Sequence, residues 1–150
     1  MATGKTVAKY ITITIDDSSG TPRIITPSCN SVSQLGLENA APDVTAYSDG
    51  WSNVLLALPK SEIELGGPFN NVATTGSHSV FRLIVNTNTG YTFTVNVGIL
   101  AVPTSGDPSW GGEYLCDSYV VIPGGPNDAA TWKATLKPYG TSVGAWGAVP

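Results

Sequence analysis

The run Tyr10-Ile-Thr-Ile-Thr-Ile15 alternates without a fault, and it constrains the chain more than any other stretch. Successive side chains on a strand point to opposite faces. Ile11, Ile13 and Ile15 therefore share one face and Tyr10, Thr12 and Thr14 the other. A helix would scatter the isoleucines around its circumference. The alternation returns over residues 91–97, where Phe93, Val95 and Val97 oppose Thr92, Thr94 and Asn96. Asp16-Asp-Ser-Ser-Gly20 reads as a hairpin turn that sends residues 23–26 back, with Pro27 limiting the return. Further strands are expected at residues 30–38, at 44–47 and 54–58 around Asp49-Gly50, and at 61–65. In the last of these Glu62 and Glu64 lie opposite Ile63 and Leu65, and Gly66-Gly-Pro68 stops the run. Residues 113–122 and 130–138 complete the set. Short strands separated by turns predict a mainly β chain, a sandwich or small barrel of antiparallel strands.

Residues 77–85 read two ways. Ser79-Val-Phe-Arg-Leu-Ile-Val85 has strand composition, yet Val80, Phe81, Ile84 and Val85 also fall on one helical stripe. The Pro/Gly/Ser-rich residues 103–112, with Trp110 among them, read as a long loop. No linker or internal repeat divides the 150 residues, which suits one domain.

Composition narrows the function classes. Charged residues make up 12%, and the net charge is −4. No basic residue lies between Arg82 and Lys133, while Asp107, Glu113, Asp117 and Asp128 do. A nucleic-acid binder needs clustered Lys and Arg to displace counterions, and no such cluster exists. Cys29 and Cys116 are too few for a disulfide scaffold and fit no zinc spacing; two separate reduced thiols are expected over the alternative of one bridge between them. The polar start, with no apolar signal-type core, and the absence of a glycosylation sequon or a run long enough to cross a bilayer fit folding in a bacterial cytoplasm.

The titratable residues form no catalytic constellation. His78, the single histidine, has no nucleophile with a triad context and reads as a polar residue near a helix or loop start. Glu62 and Glu64 share one strand face, whereas glycosidase carboxylates must flank a bond from opposite sides. Asp16-Asp17 begins no calcium-loop ligand series. The chain carries no phosphate loop, dinucleotide fingerprint or nucleophile elbow. No enzyme activity, cofactor or metal is expected. The tryptophans stand apart: Trp132 alternates within a strand and reads as core, while Trp51 and Trp110 lie among Gly, Ser and Asp. Aromatics in such loops serve as anchors in protein interfaces or as platforms for sugars, or they fold back onto their own domain, and the sequence weighs these readings about equally.

The order of segments supplies a resemblance. Asp43-Val-Thr-Ala-Tyr47, a loop, a small apolar patch and Ser61-Glu-Ile-Glu-Leu-Gly-Gly-Pro-Phe69 are followed by Tyr91-Thr-Phe-Thr-Val95. Gly112-Glu-Tyr-Leu-Cys-Asp-Ser-Tyr119 comes next, then the run from Asp128 to Gly140. Together they resemble the major tail tube protein of long-tailed bacteriophages. The resemblance covers roughly residues 10–140, and the tail at 141–150 has no clear counterpart in it. It implies a β-sandwich with one flanking helix at about residues 77–85, an extended loop at 43–58 and an irregular C-terminal tail. It further implies stacked hexameric rings forming a tail tube through which viral DNA passes without specific binding. Partners would be further copies, other tail proteins and DNA, with no membrane. The location would be the virion tail, assembled in the host cytoplasm. Under that reading Tyr47, Trp51, Val54, Leu55 and Trp110 are interface candidates. Glu62, Glu64, Thr92, Thr94 and Asn96 are lumen-facing candidates. Two other classes remain open: another virion protein on a related fold (capsid decoration or tail completion), and a carbohydrate-binding module using Trp51 and Trp110.

Overall fold

The computed structural model describes residues 6–99, 101–141 and 144–150. The hairpin opens the fold as expected, with β1 (Ile11–Asp16) pairing antiparallel with β2 (Pro22–Ile24). The next expected strand, 30–38, is broken into β3 (Ser31–Val32) and β4 (Glu38–Asn39), separated at Gly36, whose φ is +149°. β5 (Pro59–Lys60) pairs only with β4. β6 (Ile63–Pro68) does not stop at Gly66 but runs on through both glycines, held between β3 and β9. Gly67 is required there, since a Cβ would lie 2.2 Å from the Ser28 carbonyl oxygen.

Residues 77–84 form a helix, α1 (Ser77–Ile84), burying Val80, Phe81 and Ile84. Local propensity favoured a strand; tertiary packing decides for the helix. Phe81 stacks on Tyr119 at 5.7 Å between ring centroids and lies 5.0 Å from Trp132. Full burial of each such apolar side chain contributes about 1.5–3 kcal/mol.

β7 (Tyr91–Val97) follows, then β8 (Pro108–Ile122), β9 (Thr131–Pro138) and β10 (Ala145–Ala148). Strands run in the order β2-β1-β7-β8-β9-β6-β3, with β10 added beside β8. The 15-residue β8 serves both halves of this sheet. Ser109 to Tyr114 pair with β7, and Tyr114 to Ile122 pair with β9 across a bulge between Cys116 and Ser118. The sheet curls around one core. β1 and β3 stand near opposite ends of the strand order, yet Ile11 and Ile13 line one cavity of about 350 Å³ together with Cys29 and Val32. At the centre the buried Tyr114 hydroxyl accepts from Trp110 Nε1 at 3.0 Å and bonds Ser61 Oγ at 2.7 Å.

Two further expectations fail here. Trp110 lies in β8 rather than in a loop, and it is only 1% exposed. The C-terminal segment also carries a strand: β10 pairs with the start of β8, and Trp146 meets Trp110 edge-on at 5.4 Å. Both depend on Gly144, where a Cβ would fall 2.4 Å from Trp110 Cζ2, so glycine lets the returning chain approach the indole. Residues 142–143 of the expected tail lie outside the described residues.

Candidate functional site

Residues 40–58 leave the body as an arm. At its base β4 and β5 pair, and the rungs continue irregularly. Ala57 N–H donates to Ala40 O (2.7 Å), Leu55 N–H to Pro42 O (3.2 Å) and Val44 N–H to Asn53 O (2.9 Å). The strands expected at 44–47 and 54–58 do not form. Only an isolated bridge, Asp43 with Val54, remains, because the apolar residues there do not alternate and no neighbouring sheet covers one side.

A polar frame shapes the tip instead. Asp43 Oδ1 accepts from the Thr45 amide at 2.8 Å and from the Thr45 hydroxyl. Asp49 Oδ2 accepts from the Ala46 amide (2.8 Å) and from Asn53 Nδ2 (2.9 Å), while Asn53 Oδ1 accepts from Trp51 Nε1 (3.1 Å). Thr45 and Asn53 carry this frame and were not singled out from the sequence; the Asp-x-Thr spacing of an Asx turn was the available signal. These bonds hold the Asp43 carboxyl below the usual carboxylate range, chiefly through the Thr45 hydroxyl, and the Asp49 carboxyl likewise, chiefly through the Ala46 amide. Polar groups are thus satisfied within the arm while the apolar ones point out. Tyr47, Val54, Leu55, Leu56 and Leu58 are exposed, and Trp51 is 78% exposed. Four of the five interface candidates, Tyr47, Trp51, Val54 and Leu55, lie together on this arm. Trp110 does not, since the core encloses it.

The lumen candidates separate into two groups. On β7, Thr92 is exposed, and Thr94 and Asn96 are half-buried, opposite the buried Phe93 and Val95. Their cross-strand partners are Thr12, Thr14, Ser109, Gly111 and Glu113, so this outer face is rich in hydroxyl and amide groups and nearly free of charge. Glu64 projects outward from β6, and Glu62 precedes the strand with the same outward exposure. They belong to the other half of the sheet. The Glu62/Glu64 face is also not simply acidic. Lys133 and Lys137 of β9 share it, Lys137 pairs with Asp117 at 3.2 Å, and Lys60 lines the same groove as both glutamates.

His78 sits half-buried between the rings of Phe69 and Tyr119, with Nδ1 3.1 Å from the Tyr119 hydroxyl. Cys29 and Cys116 are free thiols. Burial, with the Asp117 charge second, pushes the Cys116 thiol up to about 12, so it stays protonated. Among the described residues no group of three or more His, Cys, Asp or Glu side chains is placed to hold a metal ion, and no helix is long and apolar enough to cross a membrane.

No protein-family model matches the chain, and no curated protein matches it by sequence. Solved structures do. The chain is similar to one from the tail of an empty gene transfer agent particle with C6 symmetry, at a TM-score of 0.69 and 18% identity, covering 97% of this chain and 100% of that one. It is similar to a chain of the PVC sheath-tube complex, an extracellular contractile injection system (TM-score 0.62, 18% identity, 99% and 95% covered). A third likeness is to a chain from the PVC sheath/tube terminator structure (TM-score 0.66, 16% identity, 94% and 96% covered). A mainly β chain with one short helix, curled around one core and carrying an arm, therefore has the fold of chains found in phage-like tail and tube assemblies.

Proposed function

We propose that this protein is a non-enzymatic structural subunit of a virion tail, polymerising as stacked hexameric rings into a tube through which DNA passes. The observation that carries this reading is the arm. Its polar groups are satisfied internally while Tyr47, Trp51, Val54 and Leu55 stand in solvent, an arrangement that rewards cover by another chain. The fold, shared over nearly the whole chain with one from a C6-symmetric tail, supports cover by further copies arranged in a ring. Partners are then further copies, other tail proteins and the DNA in transit, and assembly takes place in the host cytoplasm.

One outer face can line such a channel. The Thr92, Thr94 and Asn96 face suits it, because hydroxyl and amide groups offer a polyanion neither a cation to grip nor a wall of like charge. The Glu62 and Glu64 face on the other half, where Lys133 and Lys137 lie among the carboxylates, is the other candidate for the lumen. A second reading, tail completion, is favoured by the likeness to a chain of a sheath/tube terminator structure.

Electron microscopy of the purified protein at increasing concentration tests both. Six-fold tubes of open length support the tube subunit, and single rings that never elongate support completion. A protein that stays monomeric at high concentration overturns both.

A further inference from the structure

Asp49-Gly50 is the only Asp-Gly pair in the chain, and it lies at the tip of the arm. Both residues are exposed, and a Cβ built at Gly50 would meet nothing within 4 Å. Among the described residues the Gly50 amide donates to no backbone carbonyl outside regular structure, so its nitrogen is open to reaction. Glycine also sets no side chain in the path between that nitrogen and the preceding carboxyl. What stands in the way is the polar frame. Asp49 Oδ2 accepts from the Ala46 amide at 2.8 Å and from Asn53 Nδ2 at 2.9 Å, which turns the carboxyl toward those two residues. The same donors, the Ala46 amide foremost, favour the ionised form, and an ionised carboxyl has no oxygen ready to leave as water.

The geometry points to Asp49 as a site of isoaspartate formation that the Ala46 amide and Asn53 hold in check. The chemistry needs only water. The Gly50 nitrogen attacks Asp49 Cγ; a C–N bond forms, the amide proton is lost, and a carboxyl oxygen leaves as water to give a cyclic imide. Water then adds back to the ring. Opening at Cγ restores aspartate, whereas opening at the α-carbonyl routes the main chain through Cβ and leaves the carboxylate on Cα. One water is lost and one regained, and nothing is oxidised or reduced. The product cannot rebuild the frame, because the main chain is longer by a methylene and the carboxylate is shorter by one. Asn53 then loses the partner that orients it, and Trp51 Nε1, bonded to Asn53 Oδ1 at 3.1 Å, loses its tether. The arm tip is thus a clock on the unassembled subunit, a consequence that rests on the self-assembly reading above.

Two Asp-Ser pairs serve as references within the same chain. Asp17 is tied to Ser19, Thr21 and Arg23, and Asp117-Ser118 lies within β8. Purified wild type, Asn53→Ala and Gly50→Ala are incubated in neutral buffer, and isoaspartate at each site is read by peptide mapping with an isoaspartyl methyltransferase as probe. Alanine fits at position 50, since Gly50 does not adopt a positive φ and the space around it is open. Asn53→Ala is expected to speed isomerisation at residue 49 about 5-fold, the factor that one net hydrogen bond carries. Gly50→Ala is expected to bring residue 49 down to the level of residue 117. Asn53→Ala no faster than wild type, or residue 49 no faster than residue 117 even in Asn53→Ala, overturns the site. After the same incubation wild type is expected to assemble less than fresh protein, while Gly50→Ala keeps its assembly; equal losses in both overturn the clock. A wild type that never assembles overturns the tube reading alone, because the isoaspartate is still read.

Discussion

Trp110 and Trp51 both lie next to glycine in polar, turn-rich sequence, yet one is 1% and the other 78% exposed. The difference lies in what surrounds each after folding. Trp110 is embraced by Tyr114, by Trp146 and by a backbone approach at Gly144, and its indole N–H has a buried partner. Trp51 has only Asn53, two residues away, for its N–H, and its rings rest on nothing in the body. A body that satisfies both polar and apolar demands internally is stable alone. An arm that satisfies only the polar ones is shaped but unfinished.

Substitutions that separate stability from assembly sharpen this contrast. The largest effect is expected for Trp132→Ala in the body, where the indole is fully buried and donates to the Ser28 carbonyl at 2.8 Å. A loss of about 3–5 kcal/mol in chemical denaturation is expected. Trp51→Ala should leave the denaturation curve within about 0.5 kcal/mol of wild type. It should weaken assembly by about 2 kcal/mol, or about 30-fold, in sedimentation or light scattering. Equal losses in both assays for Trp51→Ala would erase the distinction between arm and body.

Tyr114→Phe probes the body's internal satisfaction. It strands Ser61 Oγ and Trp110 Nε1 without their buried partner and should lower stability by about 1–3 kcal/mol, read by thermal or urea unfolding. A neutral result would mean that these groups find other partners. On the outer face, Thr92→Lys should leave folding within about 0.5 kcal/mol of wild type. In assembled tubes it should create salt-sensitive DNA retention, whereas the same change at the exposed Thr131 should not. Retention by both variants or by neither would remove the assignment of the β7 face to the channel.

The smallest effect is expected from acid. Asp43 and Asp49 have folded-state pKa values below their unfolded ones, so their contribution is present above the ordinary carboxylate range and is lost as pH falls through the lowered values. Below about pH 4 the arm-tip amides should lose protection relative to their intrinsic exchange rates while β7 and β9 stay protected, as hydrogen-exchange mass spectrometry would show. Simultaneous loss of protection in arm and strands would show that the tip frame is not an independent unit.

The sequence was most legible where period and environment agree. In β1 and β7 every second residue is apolar, one face is buried, and a slip of register would put isoleucine or phenylalanine into water. The helix was harder, because Val80, Ile84 and Val85 favour a strand locally. What holds α1 is the aromatic platform of Tyr119 and Trp132, contributed from far along the chain. β10 was invisible: Ala145-Trp-Gly-Ala148 has no alternation, and its pairing depends on the approach that Gly144 allows. The arm candidates Tyr47, Trp51, Val54 and Leu55 were legible as large apolar residues among turn formers. Trp110 looked the same locally and was misread, since neighbouring glycines signal close packing as readily as they signal a loop.

The 15-residue strand β8 has a mechanical consequence. Extended at about 3.3 Å per residue, it threads roughly 50 Å of continuous covalent backbone through both halves of the fold. Two layers joined by side chains alone would slide when pushed along their common plane. Here sliding would require bending that thread against rungs on both flanks, where β7 grips one stretch and β9 the next. Force entering one half therefore reaches the other through bonds loaded in tension and ladders loaded in shear. A wall assembled from such units would carry torsion and flexure as a stiff shell.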